Sequence, residues 1–316
     1  MMSHPLQGGE AMKSIGFIGA GKVSFSMGKY LSLHEIPVTG YYDVNPASAD
    51  EAATFTDSRR FPDEKELIAA SDCIFIATPD DAIITVWNTI KTMDIKNRII
   101  GIFSGSLSSS LFSGIGMTGA AGISIHPMYA FSDKFSDYRQ LHTAKLTMEG
   151  ESSAVAYFRE LFETLGHTVS VIDSATSPSD GTERDISTLK MRYHCAASVA
   201  SNLMIGLYEM SLSMLTDCGF SEEEAGSFLS PLIEKNVSAM LTTGPEKALT
   251  GPIERGDTET VKHHLEVMTP EERAVYLPLA RRLTEIAKRK NPERDYRSME
   301  ELIQESREIW ENKTQS

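Results

Sequence analysis

Ser14-Ile-Gly-Phe-Ile-Gly-Ala-Gly-Lys-Val-Ser24 is the stretch on which the reading of the whole chain turns. It reads as a short apolar strand over 15–18 that runs into Gly19-Ala20-Gly21 and re-enters as a helix over 23–33. A strand that breaks at glycines and continues as a helix leaves bare backbone N–H groups at the helix N-terminus. The partial positive charge there attracts an anion such as a diphosphate. Gly19 permits the tight turn, and Gly21 lets phosphate approach the backbone. The third glycine of G-x-G-x-x-G is absent; Ser24 holds its place and is small enough for close packing of helix on strand. A glycine pattern alone is weak evidence, but here its context adds to it. A second strand, 37–42, ends at Asp43, about 20 residues beyond Gly21, where an acid accepts hydrogen bonds from adenosine ribose hydroxyls. The plain alternative is an ordinary strand–turn–helix followed by a turn aspartate.

The 316 residues suffice for two domains. With 41% hydrophobic and 23% charged residues, a soluble globular protein is expected. A formal net charge of -14 argues against a nucleic-acid partner and against an anionic membrane surface. No apolar run is long enough to span a bilayer. Residues 1–12 are polar, lack the apolar core of a signal peptide, and read as a disordered leader with Met12 a candidate natural start. The three cysteines, Cys73, Cys195 and Cys218, lie far apart in apolar segments. They read as buried free thiols of a cytoplasmic protein, with no spacing for a metal site.

Further along, helical patterns cover 47–55 and 63–70, and Cys73-Ile-Phe-Ile-Ala77 is a continuous apolar run of strand length, as in a parallel sheet covered on both faces. It ends at Thr78-Pro79-Asp80, which reads either as a wall of the cofactor cleft or as a plain capped turn, with Asp80 a candidate N-cap of the next helix. Strands over 98–103, ending at Ser104-Gly105-Ser106, and over 122–125, ending at His126-Pro127-Met128, follow. Two more, 143–148 and 168–172, flank a helix over 152–165. Alternating strands and helices predict an α/β fold, a doubly wound, mostly parallel sheet of the Rossmann type.

The polar, Pro/Gly/Ser-rich passage 173–181 is the candidate boundary between a nucleotide-binding domain over 13–175 and a second domain over 182–316. Beyond it strand patterns vanish. A long helix is expected over 183–216, then helices opened by the capping boxes Ser221-Glu-Glu-Glu224 and Thr269-Pro-Glu-Glu272, and a last one over 298–310. An all-helical half with so long a helix points to a homodimer formed through it.

On the long helix Lys190, His194, Ser198, Ser201 and Asn202 fall at i, i+4, i+8, i+11 and i+12, one face among small apolar residues. The stripe is either a solvated face or a row turned to the sheet edge. In the second case Lys190 or His194 donates a proton to a carbonyl or imine, with Asn202 and Ser198 beside them. His126 at its strand end is either a catalyst or a structural hydrogen-bonder. Ser104 and Ser106 suit a carboxylate, a phosphate or the nicotinamide amide, or plain turn chemistry. In Thr250-Gly-Pro-Ile-Glu-Arg-Gly-Asp257, Arg255 either fixes a substrate carboxylate or clamps to Asp257, which could itself cap the next helix.

Gly-Phe-Ile-Gly-Ala-Gly-Lys-Val, Thr-Pro-Asp-Asp-Ala-Ile, Ser-Gly-Ser-Leu-Ser-Ser, His-Pro-Met and Thr-Gly-Pro-Ile-Glu-Arg-Gly-Asp together resemble a bacterial family that joins a Rossmann-like NAD(P) domain to a helical C-terminal domain of unknown function, DUF2520. The resemblance runs from Met12 to about residue 283. Wider relatives are 6-phosphogluconate dehydrogenase, pyrroline-5-carboxylate reductase, ketopantoate reductase and prephenate dehydrogenase. It implies a dimeric NAD(P)-dependent oxidoreductase acting on a small carbonyl, imine or hydroxy substrate between its domains. The cofactor would lie on Gly19, Ala20, Gly21, Lys22 and Val23, with Asp43 at the ribose, Thr78, Pro79 and Asp80 beside the riboses, and Ser104-Gly105 near the nicotinamide. The proton donor would be Lys190 or His194. Asp43 would repel a 2′-phosphate, so NAD is expected over NADP. The competing expectation is a dinucleotide-binding sensor or scaffold without turnover.

Overall fold

The computed structural model describes residues 12–173, 175–176 and 183–314. In chain order these form β1 (Ile15–Ile18), α1 (Lys22–Leu33), β2 (Val38–Tyr42), α2 (Pro46–Thr56), β3 (Arg59–Arg60), α3 (Glu64–Ala70), β4 (Cys73–Ile76), α4 (Asp80–Ile90), β5 (Ile99–Ile102), α5 (Ile115–Thr118), β6 (Ala121–Met128), β7 (Lys145–Gly150), α6 (Ser152–Thr164), β8 (Val169–Val171), β9 (Ala175–Thr176), β10 (Glu183–Arg184) and α7 (Ile186–Ala200). The helices α8 (Asn202–Asp217), α9 (Glu222–Thr243), α10 (Pro245–Ala248), α11 (Pro252–Arg255), α12 (Thr258–Val267), α13 (Pro270–Lys290) and α14 (Arg297–Thr314) complete the chain. Contacts divide it into two compact units, one ending at Ser201 and one beginning at Asn202. The expected leader lies outside the described residues, except Met12, as does most of the polar passage 173–181.

The first unit is the expected sheet. Its strand order is β3-β2-β1-β4-β5-β6-β7-β8, parallel throughout except between β6 and β7. Apolar strands bury both faces by parity. Ile15, Phe17, Cys73 and Phe75 enter one core with α1, α2 and α6, whereas Ile18, Ile74 and Ile76 enter the other with α3 and α4. In the first core Phe75 stacks on Phe103 at 4.4 Å and Phe17 on Tyr41 at 5.1 Å. The order reverses direction at β1, between β2 and β4, the place where open sheets of this kind bind ligands.

Four expectations are corrected. The helix expected over 183–216 is broken. Glu183–Arg184 pairs antiparallel with Ala175–Thr176, and α7 stops at Ala200, with Ser201 at φ −124° and ψ −77°. No proline or glycine marks the break. Instead the Ser201 hydroxyl donates to the Ala197 carbonyl at 2.7 Å, a local bond that competes with the helix. Second, β6 does not end before His126 but runs through Met128, because its far half pairs with β7, His126 opposite Thr147. Beyond Ser124 it has outrun β5, so Pro127 removes no ladder donor on that side. Third, Asp80 caps nothing: α4 begins at Asp80, with Pro79 as an N-cap that makes no side-chain bond. Fourth, Cys73 is buried, but Cys195 and Cys218 are exposed.

The second unit is helical. Both capping boxes form, at Ser221–Glu224 and Thr269–Glu272, and its core is Ile253, Val261, Leu265, Leu277, Ala280, Met299 and Ile303 on α11 to α14. Of α8 and α9, only Ala225 is buried. Among the described residues no helix is long and apolar enough to cross a membrane.

The close approach of α1 to the sheet falls at Gly28, one turn past Ser24. A Cβ there would lie 1.8 Å from the Tyr41 hydroxyl. We expect Gly28→Ala to lower unfolding free energy by about 2 kcal/mol in chemical denaturation, although alanine favours helix. In a Tyr41→Phe background, which removes the hydroxyl, the same change should cost less than half as much. Equal costs in the two backgrounds would refute the contact.

Candidate functional site

The site is built along the carboxyl ends of β1, β4, β5 and β6. At the first of these Gly19 has φ +105°, and a Cβ would lie 2.7 Å from the Ala77 carbonyl oxygen, so glycine is required by both strain and space. Gly21 differs. It is the N-cap of α1 at φ −87°, and a Cβ would find nothing nearer than the Ala77 oxygen at 3.8 Å. Neither backbone nor packing demands glycine there. Ser24 is fully buried, and its hydroxyl donates to the carbonyls of Gly19 at 2.8 Å and Gly21 at 3.1 Å, drawing the loop closed on the helix.

Asp43 reaches back to this loop. One carboxylate oxygen accepts the Ala20 N–H at 2.7 Å and the other the Asn45 N–H at 2.8 Å. The Ala20 amide is therefore taken, and among the described residues the amides of Gly21, Lys22, Val23 and Ser24 have no hydrogen-bond partner, the bare donors of a helix start. A cavity of ≈ 490 Å³ opens beside the loop, lined among others by Gly19, Gly21, Asp43, Glu64, Thr78 and Pro79. The Thr78 hydroxyl is buried there without a hydrogen-bond partner among the described residues. Glycine bareness and an orphaned hydroxyl facing one cavity fit a dinucleotide's adenosine and diphosphate.

At the second part of the edge, the Asp80 carboxylate accepts from the hydroxyls of Ser104 at 2.9 Å and Ser106 at 2.6 Å. It thereby ties the start of α4 to the loop after β5. Lys190 of α7 is fully buried. Its ammonium donates to the Ser104 carbonyl and the Ser124 hydroxyl, each at 2.9 Å. Burial drives its pKa down to about 8, opposed by the negative charges of Glu149 and Asp80. The stripe on α7 is thus turned to the sheet edge at Lys190 and His194, with Ser198 half-buried one turn on.

His126 and His194 meet over Gly105. A Cβ on Gly105 would lie 2.8 Å from His126 Nε2 and 2.7 Å from His194 Nδ1, so the loop's glycine is what admits both rings. The His126 Nδ1 atom lies 3.0 Å from the Tyr193 hydroxyl. The His194 Nδ1 atom is buried and has no partner among the described residues. Burial lowers the His126 pKa to about 4; Lys190 and His194 add to the effect and Asp80 opposes it. His126 is therefore neutral at physiological pH.

Of the expected site residues, Gly19, Ala20, Gly21, Lys22, Val23, Asp43, Thr78 and Pro79 gather at the first part, and Asp80, Ser104, Gly105, Ser106, His126, Lys190 and His194 at the second. Asn202 and Arg255 belong to the other unit. There Arg255 lies 3.8 Å from Asp257, which caps α12 through the Thr260 N–H, in line with the clamp reading. Tyr193, Ser124 and Glu64 were missed. Tyr193 stands at i+3 from Lys190, so the helical face already offered it. Ser124 is a lone buried polar residue in an apolar strand.

The fold and this edge can now be set beside known proteins. Residues 144–283 match the model of DUF2520, a domain of unknown function. No curated protein matches the chain in sequence. Among solved structures, a Bacteroides fragilis protein provisionally described as an NADP oxidoreductase is similar at TM-score 0.67 and 20% identity, over 86% of this chain and 98% of that one. A reductive aminase from Aspergillus terreus in complex with NADPH and ethyl-5-oxohexanoate is similar at TM-score 0.55 and 12% identity, over 96% and 94%. A Plasmodium falciparum pyrroline carboxylate reductase with NADP bound is similar at TM-score 0.53 and 15% identity, over 88% and 96%. At such identities the likeness is one of fold: a mostly parallel sheet joined to a helical region.

Lys190 sets a pH test. Its folded pKa of about 8 lies below the ordinary 10.5, so the unfolded chain holds its proton more tightly. The group's stabilisation is present above pH 10.5 and is lost as pH falls through about 8. Relative to Lys190→Met, the wild type should gain up to about 3 kcal/mol of unfolding free energy between those limits in denaturant titrations. Parallel pH profiles would mean that the ammonium is hydrated.

Proposed function

We propose that the chain is an NAD(P)-dependent oxidoreductase that exchanges a hydride with a small carbonyl, imine or hydroxy compound. Gly21 carries the reading. Its side chain is missing where neither strain nor packing within the protein calls for glycine, at a helix start with free amides. Close approach of a diphosphate supplies the reason. The amides of Gly21, Lys22 and Val23 would hold that diphosphate, Asp43 the adenosine ribose, Thr78 and Pro79 the riboses, and Ser104 and Gly105 the nicotinamide end. When bound, the group supplies or accepts the hydride.

The chain's own side chains orient the substrate and handle the proton. Lys190 is fully buried with two acceptors, so it fixes the floor of the site. His126 and His194, bracketing Gly105, are better placed to deliver a proton. The two enzymes of similar fold named above are a reductive aminase and a pyrroline carboxylate reductase, which favours a C=N substrate among the candidates.

NADP or NADPH accompanies those enzymes. Here the cavity rim carries the carboxylates of Asp43 and Glu64, and its described lining includes no lysine or arginine. Their charge favours NAD. We expect NADH to bind at least about tenfold more tightly than NADPH, a difference of ~1.4 kcal/mol, in fluorescence titrations. A cofactor at about 100 times its dissociation constant should add ~2.7 kcal/mol of stability. A reversed preference would remove the charge argument alone. Failure of both cofactors to bind would end the oxidoreductase reading. Binding without turnover across a panel of carbonyls and imines would favour a sensor.

We further propose a homodimer formed through α8 and α9. Leu203, Ile205, Phe228, Leu232 and Leu241 are between 57% and 77% exposed on them, an apolar surface that a second copy would cover. Light scattering should give twice the 34.8 kDa chain mass. Ile205→Glu with Leu232→Glu should shift it toward monomer, and an unchanged mass would place any dimer contact elsewhere.

A further inference from the structure

The histidine over Gly105 has a partner that no motif pointed to. Tyr193 sits on α7 between Lys190 and His194, its ring edge-on to His126 with centroids 5.5 Å apart. Its hydroxyl has a single proton and three groups in reach: His126 Nδ1 at 3.0 Å, the Met128 sulfur at 3.8 Å, and the buried Thr147 hydroxyl, which has a proton of its own and favours the ionised phenol, so that it donates to the phenol oxygen. The imidazole nitrogen is nearer and by far the stronger acceptor, and a phenol donates better than it accepts. The hydroxyl proton therefore points to Nδ1. In a neutral ring the other nitrogen then carries the hydrogen, and that nitrogen, Nε2, is the one turned toward Gly105.

We infer that Tyr193 is a positioning residue that holds His126 in its Nε2–H form and feeds it a proton, so that the neutral histidine acts as the donor to a carbonyl oxygen or imine nitrogen. The inference rests on the oxidoreductase reading for the identity of the acceptor. When the substrate carbon takes the hydride, the π pair of C=O or C=N moves to the oxygen or nitrogen, which takes the Nε2 proton. The ring keeps the N–H electron pair and gains the Tyr193 proton at Nδ1, so it is neutral throughout. The phenolate regains a proton from water, and exchange with water restores the Nε2–H form. The net additions are one hydride and one proton.

The surroundings suit a neutral donor. The ionisable groups facing His126 are Lys190, His194 and Tyr193 of α7 and Asp80 of α4, and the positive charge of Lys190 opposes an imidazolium. A donor that never becomes cationic avoids a second buried positive charge beside that ammonium; the charge passes instead to Tyr193 as a phenolate, which burial disfavours and which is therefore short-lived. His126 is also only half-buried, so its ring can be reached from outside.

The test begins with the protein alone. In ¹⁵N-histidine-labelled protein, with His126 assigned by its loss in His126→Gln, the Nε2 signal should have the shift of a protonated nitrogen and Nδ1 that of a bare one. In Tyr193→Phe, which keeps the ring, the two tautomers should mix. A wild-type ring protonated on Nδ1, or an unchanged tautomer in Tyr193→Phe, would overturn the inference. With a substrate found by panel screening, Tyr193→Phe should lower kcat about tenfold to a hundredfold, with KM and the NADH Kd held within about twofold. An unaltered kcat would overturn it as well. If neither protein binds a nicotinamide dinucleotide, the oxidoreductase reading falls, and the tautomer still decides the Tyr193–His126 pairing.

Discussion

A single ammonium group holds the working end of the first unit together. Taking a lysine fully out of water is costly, and the cost is offset only if its protons find acceptors. Lys190 finds two, one on the loop after β5 and one on β6. Those bonds fix where α7 meets the sheet, and the helix repeat then places the neighbouring turn. Tyr193 and His194, three and four residues on, come to face His126 because Lys190 is pinned. The Ser124 hydroxyl also donates toward the Ser104 and Leu107 carbonyls at 3.4 and 3.3 Å, so the ammonium completes a small polar cluster and thereby sets the register of α7.

At the other end of the edge, small residues have separate duties. Gly19 relieves strain, Gly28 lets Tyr41 reach the helix, and Ser24 folds the loop onto the helix with its hydroxyl. A glycine at position 24 would pack equally well but could not make those bonds. Tyr41 closes the circuit by donating to the Ser24 carbonyl at 3.1 Å. The departure from the three-glycine pattern is thus a redistribution, with one glycine moved a turn along and a serine used as a latch.

What the amino-acid sequence revealed was what is local. The strand, the glycines, the helix and Asp43 lie within one short segment, and their periodicity and spacing sufficed. So did the capping boxes, each of which spans four residues. The polar stripe paired Lys190 with His194 correctly because helix geometry is local too. It failed beyond Ala200, where a serine side chain ended the helix without proline or glycine. Asp80 was misjudged because the preference for a cap is a neighbourhood rule, whereas its partners lie 24 and 26 residues away. The bonds of Ser124 and Tyr193 likewise join elements distant in sequence, which no spacing announces. Cys195 and Cys218 sit in apolar surroundings along the chain yet face outward, since apolar neighbours do not fix which side of a helix is covered.

The bond from Ala20 to Asp43 constrains how this chain can change. One carboxylate braces the glycine turn and also stands where, on the proposed reading, the ribose would be held. If the proposed cofactor reading holds, a lineage moving from one dinucleotide to the other could not exchange residue 43 freely, because losing the acid would release the Ala20 amide and loosen the turn. Glu64 carries no such second duty in the turn. Adaptation would therefore begin at Glu64, on the rim, and reach Asp43 only after another acceptor had taken over the brace.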